Sequence, residues 1–394
     1  MESLLLSWKM SFLGPHSPIP VGLGLIFCGG IARVFDRFLR KPPTPHLDLS
    51  LQGLRGVLAL CIVFHHAEIW WVFFQTGVWK SPESSFYNHL GESSVALFFM
   101  ITAFLFTRQI LNSSPEQGVD WLRLYRKRFL RIAPLYGVFV GLVFLTLGQI
   151  THWRRAESWA DLALETTSWL LFTVLGRLNL NHSVWTAHLV SAGVSWSLPF
   201  EWAFYFSLPL LAWILGRKST VRARVLSFLA CTALAYPLHW MAMKAVSFLG
   251  GVAVSLILMN RRWAQVCRSS WVSLAIVGLL VFLVLNSPTA DTAVSQLVLT
   301  LIFGGIAGGS SLGGLLHLSG LQFLGTISYG VYLLHGVILF WIFHWVVGMD
   351  QMMSLSFEQY WGVVLSSFGL ILGLATLSFR WIEFPAMSSH GYRR

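Results

Sequence analysis

The sequence predicts an all-α integral membrane protein, a polytopic bundle of about ten to eleven transmembrane helices. Hydrophobic residues make up 55% of the 394 positions and charged residues only 11%, whereas soluble globular domains carry about 25% charged residues. The mean hydropathy is +0.66, and the apolar residues occur in long stretches separated by shorter polar segments. We therefore expect one membrane domain to account for nearly the whole chain.

Eleven apolar stretches come close to the length of about 20 residues that one helical crossing needs. In chain order they are 19–38, 53–74, 92–111, 132–150, 195–215, 223–240, 242–260, 271–286, 293–316, 322–347 and 358–382. A further apolar stretch, 166–178, is too short for a crossing, so we expect a re-entrant or interfacial segment there.

The basic residues predict the orientation of the bundle. The formal net charge of +11 is not distributed as a nucleic-acid-binding surface requires, because the basic residues form short clusters between apolar stretches. With eleven spans, the clusters within 33–41, 108–131, 217–224 and 261–268 all fall on one side. We therefore predict a cytoplasmic C-terminus, an external N-terminus and no nucleic-acid partner.

The chain divides into three parts. Residues 1–46 are predicted to form an accessory transmembrane helix followed by a proline-rich linker, 47–386 the main transmembrane domain, and 387–394 a short cytoplasmic tail. The first residues, MESLLLSWKM, lack the basic region and cleavage site of a signal peptide, so we expect no removable leader.

One apolar stretch contains ionisable residues, which are costly inside a membrane and usually functional there. Arg55 and His66 are eleven residues apart, which on a helix places them within about 20° of each other and about 16 Å apart along the axis. We expect them on one face, with Arg55 near the cytoplasmic end and His66 near mid-membrane, while His65 points elsewhere. The alternatives are a structural hydrogen bond for either histidine and a snorkelling side chain for Arg55.

Two further groups have helical spacing. Arg128 and Arg131 share a face at the start of a helix, where their guanidinium groups can bind phosphates; alternatively they only follow the positive-inside rule. Ser328, Tyr332 and His335 share a face of another helix and form an inward polar stripe, for which substrate binding and helix–helix hydrogen bonding both remain open.

Two carboxylates are unusual for such an apolar chain. Glu201 is expected near the outer end of its helix, where it either orients a substrate or a catalytic histidine or pairs with an arginine or histidine of another helix. Glu383 follows Arg380 by three residues, and an ion pair within the helix explains it adequately.

Six blocks of sequence, taken together, resemble one known family. They are LRGVLALCIVFHH (54–66), SSVALFFMITAFLFTRQI (93–110), RKRFLRIAPLY (126–136), WSLPFEWAFY (196–205), LGTISYGVYLLH (324–335) and WIEFP (381–385). Their order and content resemble the bacterial acyltransferase family three, which includes O-antigen and exopolysaccharide O-acetyltransferases and some macrolide acyltransferases. The chain departs from that pattern in Thr102-Ala103-Phe104, where Ser-Gly-Phe is usual, and in its extra N-terminal helix.

The resemblance implies transfer of an acyl group, presumed to be acetyl, from acyl-CoA to a hydroxyl of a glycan or lipid-linked saccharide in a bacterial inner membrane. The expected site residues are catalytic His66, Glu201 and His335; acyl-CoA-binding Arg55, Arg128 and Arg131; and acceptor-binding or orienting Trp196, Ser328, Tyr329, Tyr332 and Glu383. His66 is the expected base, because the unperturbed imidazole pKa of about 6.5 suits proton removal at neutral pH. Direct transfer and an acyl-histidine intermediate both remain open.

We expect acyl-CoA to be a co-substrate, with no permanently bound cofactor and no metal. The partners are then acyl-CoA, the saccharide and membrane lipids, and the oligomeric state is left open. A transporter or flippase of lipid-linked saccharides is the main rival, since buried histidine, arginine and glutamate also suit a transport pathway. Membership of the unrelated membrane-bound O-acyltransferase superfamily is a weaker alternative.

Overall fold

The computed structural model describes residues 17–36, 49–114, 118–176, 178–182, 184–238 and 242–388, and within these ranges the chain contains helices and no β-strand. The helices are α1 (Ile19–Asp36), α2 (Leu49–Thr76), α3 (Ser85–Leu111), α4 (Trp121–Ile150), α5 (Trp159–Leu170), α6 (Val184–Ser191), α7 (Leu198–Ile214), α8 (Val221–Leu238), α9 (Ala242–Ile257), α10 (Arg261–Cys267), α11 (Ser270–Asn286), α12 (Ala293–Ala307), α13 (Ser319–Trp341), α14 (Met349–Ser354), α15 (Phe357–Ser378) and α16 (Phe384–Ser388). Single 3₁₀ turns cover Val194–Ser197 and Leu315–His317, and π-helical segments extend α13 and α15.

The prediction of an all-α polytopic membrane protein is confirmed. Six helices of the described chain, α1, α2, α3, α4, α13 and α15, are long and apolar enough to cross a membrane, and α9 with α10 forms a seventh candidate bent by 109°. The remaining predicted spans form α7, α8, α11 and α12, which are only 15 to 18 residues long. The count of ten to eleven full-length crossings is therefore not reproduced by helix length alone. In 293–316, for example, the helix ends at Ala307, before two glycines.

The division of the chain at its ends stays a prediction. The proline-rich linker 40–46, most of the predicted tail and residues 1–16 lie outside the described residues. Helix α1, predicted as an accessory anchor, packs against α13 and α15.

Helix α2 is the centre of the bundle, and α13 packs along it at backbone distance. A Cβ atom at Gly325 of α13 would overlap the carbonyl oxygen of Gln52 in α2. The same Gln52 donates its side-chain amide to Thr326 Oγ1 at 3.0 Å. Small residues thus allow the two helices to approach closely, as in many membrane bundles.

Replacement of Gly325 by Ala is expected to destabilise the protein by about 1–3 kcal/mol or more, because the added methyl group meets a backbone oxygen that cannot rotate away. Gly369→Ala is the matched control, since a Cβ at that position of α15 meets nothing within 4 Å. The midpoints of thermal unfolding in detergent measure both. Equal midpoints for the two variants would contradict the proposed helix–helix contact.

The basic residues at the end of α3, the start of α4 and the end of α7 lie at one end of the bundle, which we call the basic end. Helices α2 and α13 begin there, since the Gln322 side chain donates to the Leu49 carbonyl at 2.6 Å. Helices α3 and α7 end there, since Arg217 donates to the Leu111 carbonyl at 2.7 Å. The clusters of α3, α4 and α7 therefore share one side, as the sequence predicted; that this side is cytoplasmic stays a prediction.

The chain is broken inside the bundle just before α7. Ala192 and Gly193 both have left-handed backbone conformations, with φ of 48° and 66°, and the 3₁₀ turn Val194–Ser197 follows. This segment is almost entirely buried. The predicted span 195–215 thus corresponds to this 3₁₀ turn and α7, but it begins within the protein interior, after the short helix α6.

Candidate active site

A cavity of about 950 Å³, counting its open mouth, lies between α2, α3, α4, α7 and α13. Seven of the eleven predicted site residues line it: Arg55, Arg128, Arg131, Glu201, Ser328, Tyr329 and Tyr332. We call it the arginine pocket. Its opposite wall is largely apolar and comes mainly from α3, including Phe98 and Phe99. Side chains far apart in the sequence thus meet in one concave space, with polar groups facing an apolar wall, as in many ligand sites.

The three arginines of the pocket are held in different ways. Arg55 donates from Nη2 to Ser328 Oγ at 3.1 Å. The guanidinium of Arg128 lies over the Phe106 ring, 4.2 Å from its centroid. Within the described chain, neither arginine has a carboxylate oxygen within 4.0 Å. Their charges are therefore available to an anionic ligand.

Arg131 is the arginine that pairs with a carboxylate. Its Nη1 atom is 3.0 Å from Oε2 of Glu383, whose side chain is fully buried. The sequence suggested Arg380 as the partner of Glu383, so the structure replaces an intrahelical pair with one between α4 and the end of α15. Glu383 lies outside the pocket wall and acts on the pocket by orienting Arg131.

Glu201 lies in the arginine pocket and in the first turn of α7, the end of that helix at which the sequence placed it. Because α7 begins inside the bundle, this turn reaches the level of Arg55 and Arg128. The hydroxyl of Tyr205 donates to its Oε2 atom at 2.7 Å. The pocket therefore contains a carboxyl group among three guanidinium groups.

His66 and His335 are in contact, with His335 Nε2 3.0 Å from His66 Nδ1. The Nδ1 atom of each ring also lies 3.0 Å from the carbonyl oxygen four residues earlier, of Ile62 and Val331 respectively. A carbonyl oxygen only accepts hydrogen bonds, so both Nδ1 atoms carry the hydrogen. The single Nδ1 hydrogen of His66 is therefore shared between the Ile62 carbonyl oxygen and His335 Nε2, and the Nε2 atom of His66 carries the free lone pair.

The histidine pair adjoins the inner end of the pocket. The ring of Tyr332, a pocket residue, is 6.4 Å from that of His335. The Tyr332 hydroxyl donates to the Val194 carbonyl at 2.8 Å and is 2.7 Å from Ser197 Oγ. The buried break before α7 thus fixes Tyr332 between the arginines and the imidazoles. An exposed lone pair on His66, which is only half-buried, then suits a base or nucleophile.

A comparison with known families decides the class of this protein. The Acyl_transf_3 family model, described as an acyltransferase domain, matches residues 48–380. The chain belongs to acyltransferase family 3. The resemblance inferred from the six sequence blocks is thereby confirmed, and this acyltransferase is an enzyme and a multi-pass membrane protein.

The acyltransferase is similar to the peptidoglycan O-acetyltransferase OatA of Listeria monocytogenes, with 24% identity over 377 residues. The match covers 85% of this chain and 55% of OatA, so the chain spans about half the length of the curated relative it matches. No solved structure matches the chain significantly.

Trp196 of the acyltransferase lies beside the arginine pocket without lining it. Its ring packs against Phe99 and Phe200, with centroids 6.5 and 5.9 Å away. The Nζ atom of Lys244 lies 5.5 Å from its centroid. Trp196 therefore supports the pocket wall, and its predicted role in binding or orienting the acceptor stays a prediction.

Some residues around the site were missed by the sequence reasoning. Ser197, which contacts Tyr332, lies within the block WSLPFEWAFY (196–205), but the sequence assigned it no role. Tyr205, which holds Glu201, was visible only as part of a motif. His188 comes from the short helix α6, and its ring lies 5.5 Å from that of Trp79. A lone histidine outside any predicted span gave no signal for this position.

Proposed function

We propose that this acyltransferase transfers an acetyl group from acetyl-CoA to a hydroxyl of a surface glycan or a lipid-linked saccharide. The main support is the free lone pair of His66 Nε2 next to a pocket lined by three arginines. Phosphates of coenzyme A would bind the guanidinium groups, which form charge-assisted bonds to phosphate. The thioester would then extend past Tyr332 toward His66.

In the proposed reaction the acceptor hydroxyl attacks the thioester carbonyl carbon. His66 Nε2 takes the hydroxyl proton as the new C–O bond forms. Collapse of the tetrahedral intermediate breaks the C–S bond, and the thiolate of coenzyme A takes the proton back from His66. The products are an acetyl ester and free coenzyme A, so atoms and charge balance without another reactant.

His335 would assist without touching the substrate. The hydrogen bond from His66 Nδ1 to His335 Nε2 keeps His66 in the tautomer whose Nε2 can accept a proton. When His66 becomes positively charged, the same hydrogen bond stabilises it. Such a second group that orients the base is a common device of acyl-transfer sites.

The proposed location is a bacterial cytoplasmic membrane, with the basic end and the C-terminus in the cytoplasm. The supporting observation is that the arginine pocket lies toward the basic end, where a cytoplasmic donor would enter. No observation on the site specifically favours a transporter or flippase.

Purified protein in lipid vesicles should cleave acetyl-CoA labelled in the acetyl group, and label should appear as base-labile ester on glycan from the producing cells. Glycan mass spectra from cells with and without the gene should differ by acetyl groups. Intact acetyl-CoA together with unchanged spectra would contradict the proposed function.

A further inference from the structure

Helix α2 is enclosed by protein on nearly every side, yet one face remains open. Between Leu51 and Phe74 every side chain is buried except Arg55, Val57, His66 and Phe73, which are half-buried. Arg55, His66 and Phe73 are separated by eleven and seven residues, so they lie within about 20° of one another over roughly 27 Å of helix. Since the residues between them are almost all buried, these three side chains mark the one partly open face of α2.

The arginine pocket accounts for the part of this face below His66. Above His66, three half-buried aromatic rings form a second group, Phe73, Trp79 and His188, which we call the distal arm. Ring centroids are 6.3 Å apart for Phe73 and Trp79 and 5.5 Å apart for Trp79 and His188. Phe73 follows His66 by seven residues on the same face, about 10 Å along the axis, so the distal arm begins two helical turns from the catalytic ring.

The distal arm is held rigidly on the side of α6. A Cβ atom at Gly336 of α13 would lie 2.5 Å from the Ser191 carbonyl oxygen, so helix α6 contacts the α13 backbone directly. The Gly193 N–H donates to the His188 carbonyl at 3.1 Å. The position of His188 within α6 is therefore fixed relative to α13, the helix that carries His335.

The chemistry of the distal arm differs from that of the arginine pocket. Its residues present aromatic faces and an imidazole, with no guanidinium among them. The buried indole N–H of Trp70, whose ring packs against Phe73 and Trp79, has no acceptor in the described part of the chain. Aromatic faces pack against the C–H faces of sugar rings, and an imidazole and an indole N–H bond their hydroxyls.

We propose that Phe73, Trp79 and His188 bind the saccharide that accepts the acyl group, and present its hydroxyl to His66 Nε2 from the side opposite the arginine pocket. This inference rests on the proposed function. It places the donor and the acceptor along the same face of α2, on opposite sides of the histidine pair.

The test compares Trp79→Ala with Trp79→Phe in cells whose own copy of the gene is deleted. Ester-linked acetate released from the surface glycan should fall by roughly tenfold or more for Trp79→Ala, because a stacking face is lost. Trp79→Phe keeps an aromatic face and should restore most of the acetate. The dissociation constant of coenzyme A for each purified variant should stay within about twofold of the parent, since the two sites are well separated.

Parental acetate levels in Trp79→Ala would overturn the proposal, as would a loss of coenzyme A affinity equal to the loss of acetate, which would indicate a structural role. Equal glycan acetate in parent and deletion cells would instead contradict the proposed function itself. Accessibility of the arm is measured independently with Phe73→Cys, which should react with N-ethylmaleimide, whereas Leu60→Cys on a fully buried position should not. Equal inertness of both would also overturn the proposal.

Discussion

Replacement of His66 by Gln is expected to reduce the rate of acetyl transfer by about 10²–10⁴-fold, the usual contribution of a positioned general base. A Gln amide nitrogen can still donate to Ile62 or His335, so the packing of α2 against α13 is retained. What it cannot do is accept and release a proton at the position of Nε2. The rate of label transfer from acetyl-CoA under saturating donor measures the effect.

The neighbouring His65 provides the matched control. Its Nδ1 atom is 2.8 Å from the Tyr87 carbonyl oxygen, so its role is structural, and a Gln at this position can replace that hydrogen bond. His65→Gln should keep most of the transfer rate. A His66→Gln variant that transfers as fast as His65→Gln would remove His66 from the mechanism.

Loss of Arg128 is expected to weaken donor binding strongly. A charge-assisted hydrogen bond contributes about 1.5–3 kcal/mol, so Arg128→Ala should raise the dissociation constant of coenzyme A by roughly 10- to 150-fold. Arg128→Lys keeps the charge but not the planar group over Phe106, and should give an intermediate value. Calorimetric titration with coenzyme A at low and high salt checks both the size and the ionic origin of the effect.

The control for this experiment replaces two other basic residues of the same helical turn. Arg126 and Lys127 are exposed, so replacing both with Ala removes two charges outside the pocket. If this double replacement weakens coenzyme A binding as much as Arg128→Ala does, the effect comes from the overall positive potential and not from a specific phosphate contact. Arg131 is less suitable for a first test, because its removal would leave the buried Glu383 without its ion-pair partner.

Much of the site followed from helical periodicity. The common face of Arg55 and His66, and that of Ser328, Tyr332 and His335, depend only on spacing within one helix, and the pocket contains members of both sets. The contact between His66 and His335 joins positions 269 residues apart, and spacing within a helix carries no information about it. The same holds for the pairing of Glu383 with Arg131.

Glu201 shows what the sequence could not supply. Apolar composition over 195–215 predicted a helix with Glu201 near its outer end, but not that this end lies inside the bundle beside the arginines. The actual start of α7 is set by left-handed residues and a 3₁₀ turn that pack against α13, a tertiary effect that hydropathy does not report. For the same reason the short helix α6, and with it His188, had no detectable signal.

The close packing at Gly325 has a consequence for how the enzyme must move. Because the backbones of α2 and α13 are in direct contact, we expect His66 and His335 to move together, with a constant distance between the two rings. Any movement that widens the arginine pocket for the donor is therefore expected in α3, α4 and α7, the other helices that line it. The proton-transfer geometry should then stay constant throughout the cycle.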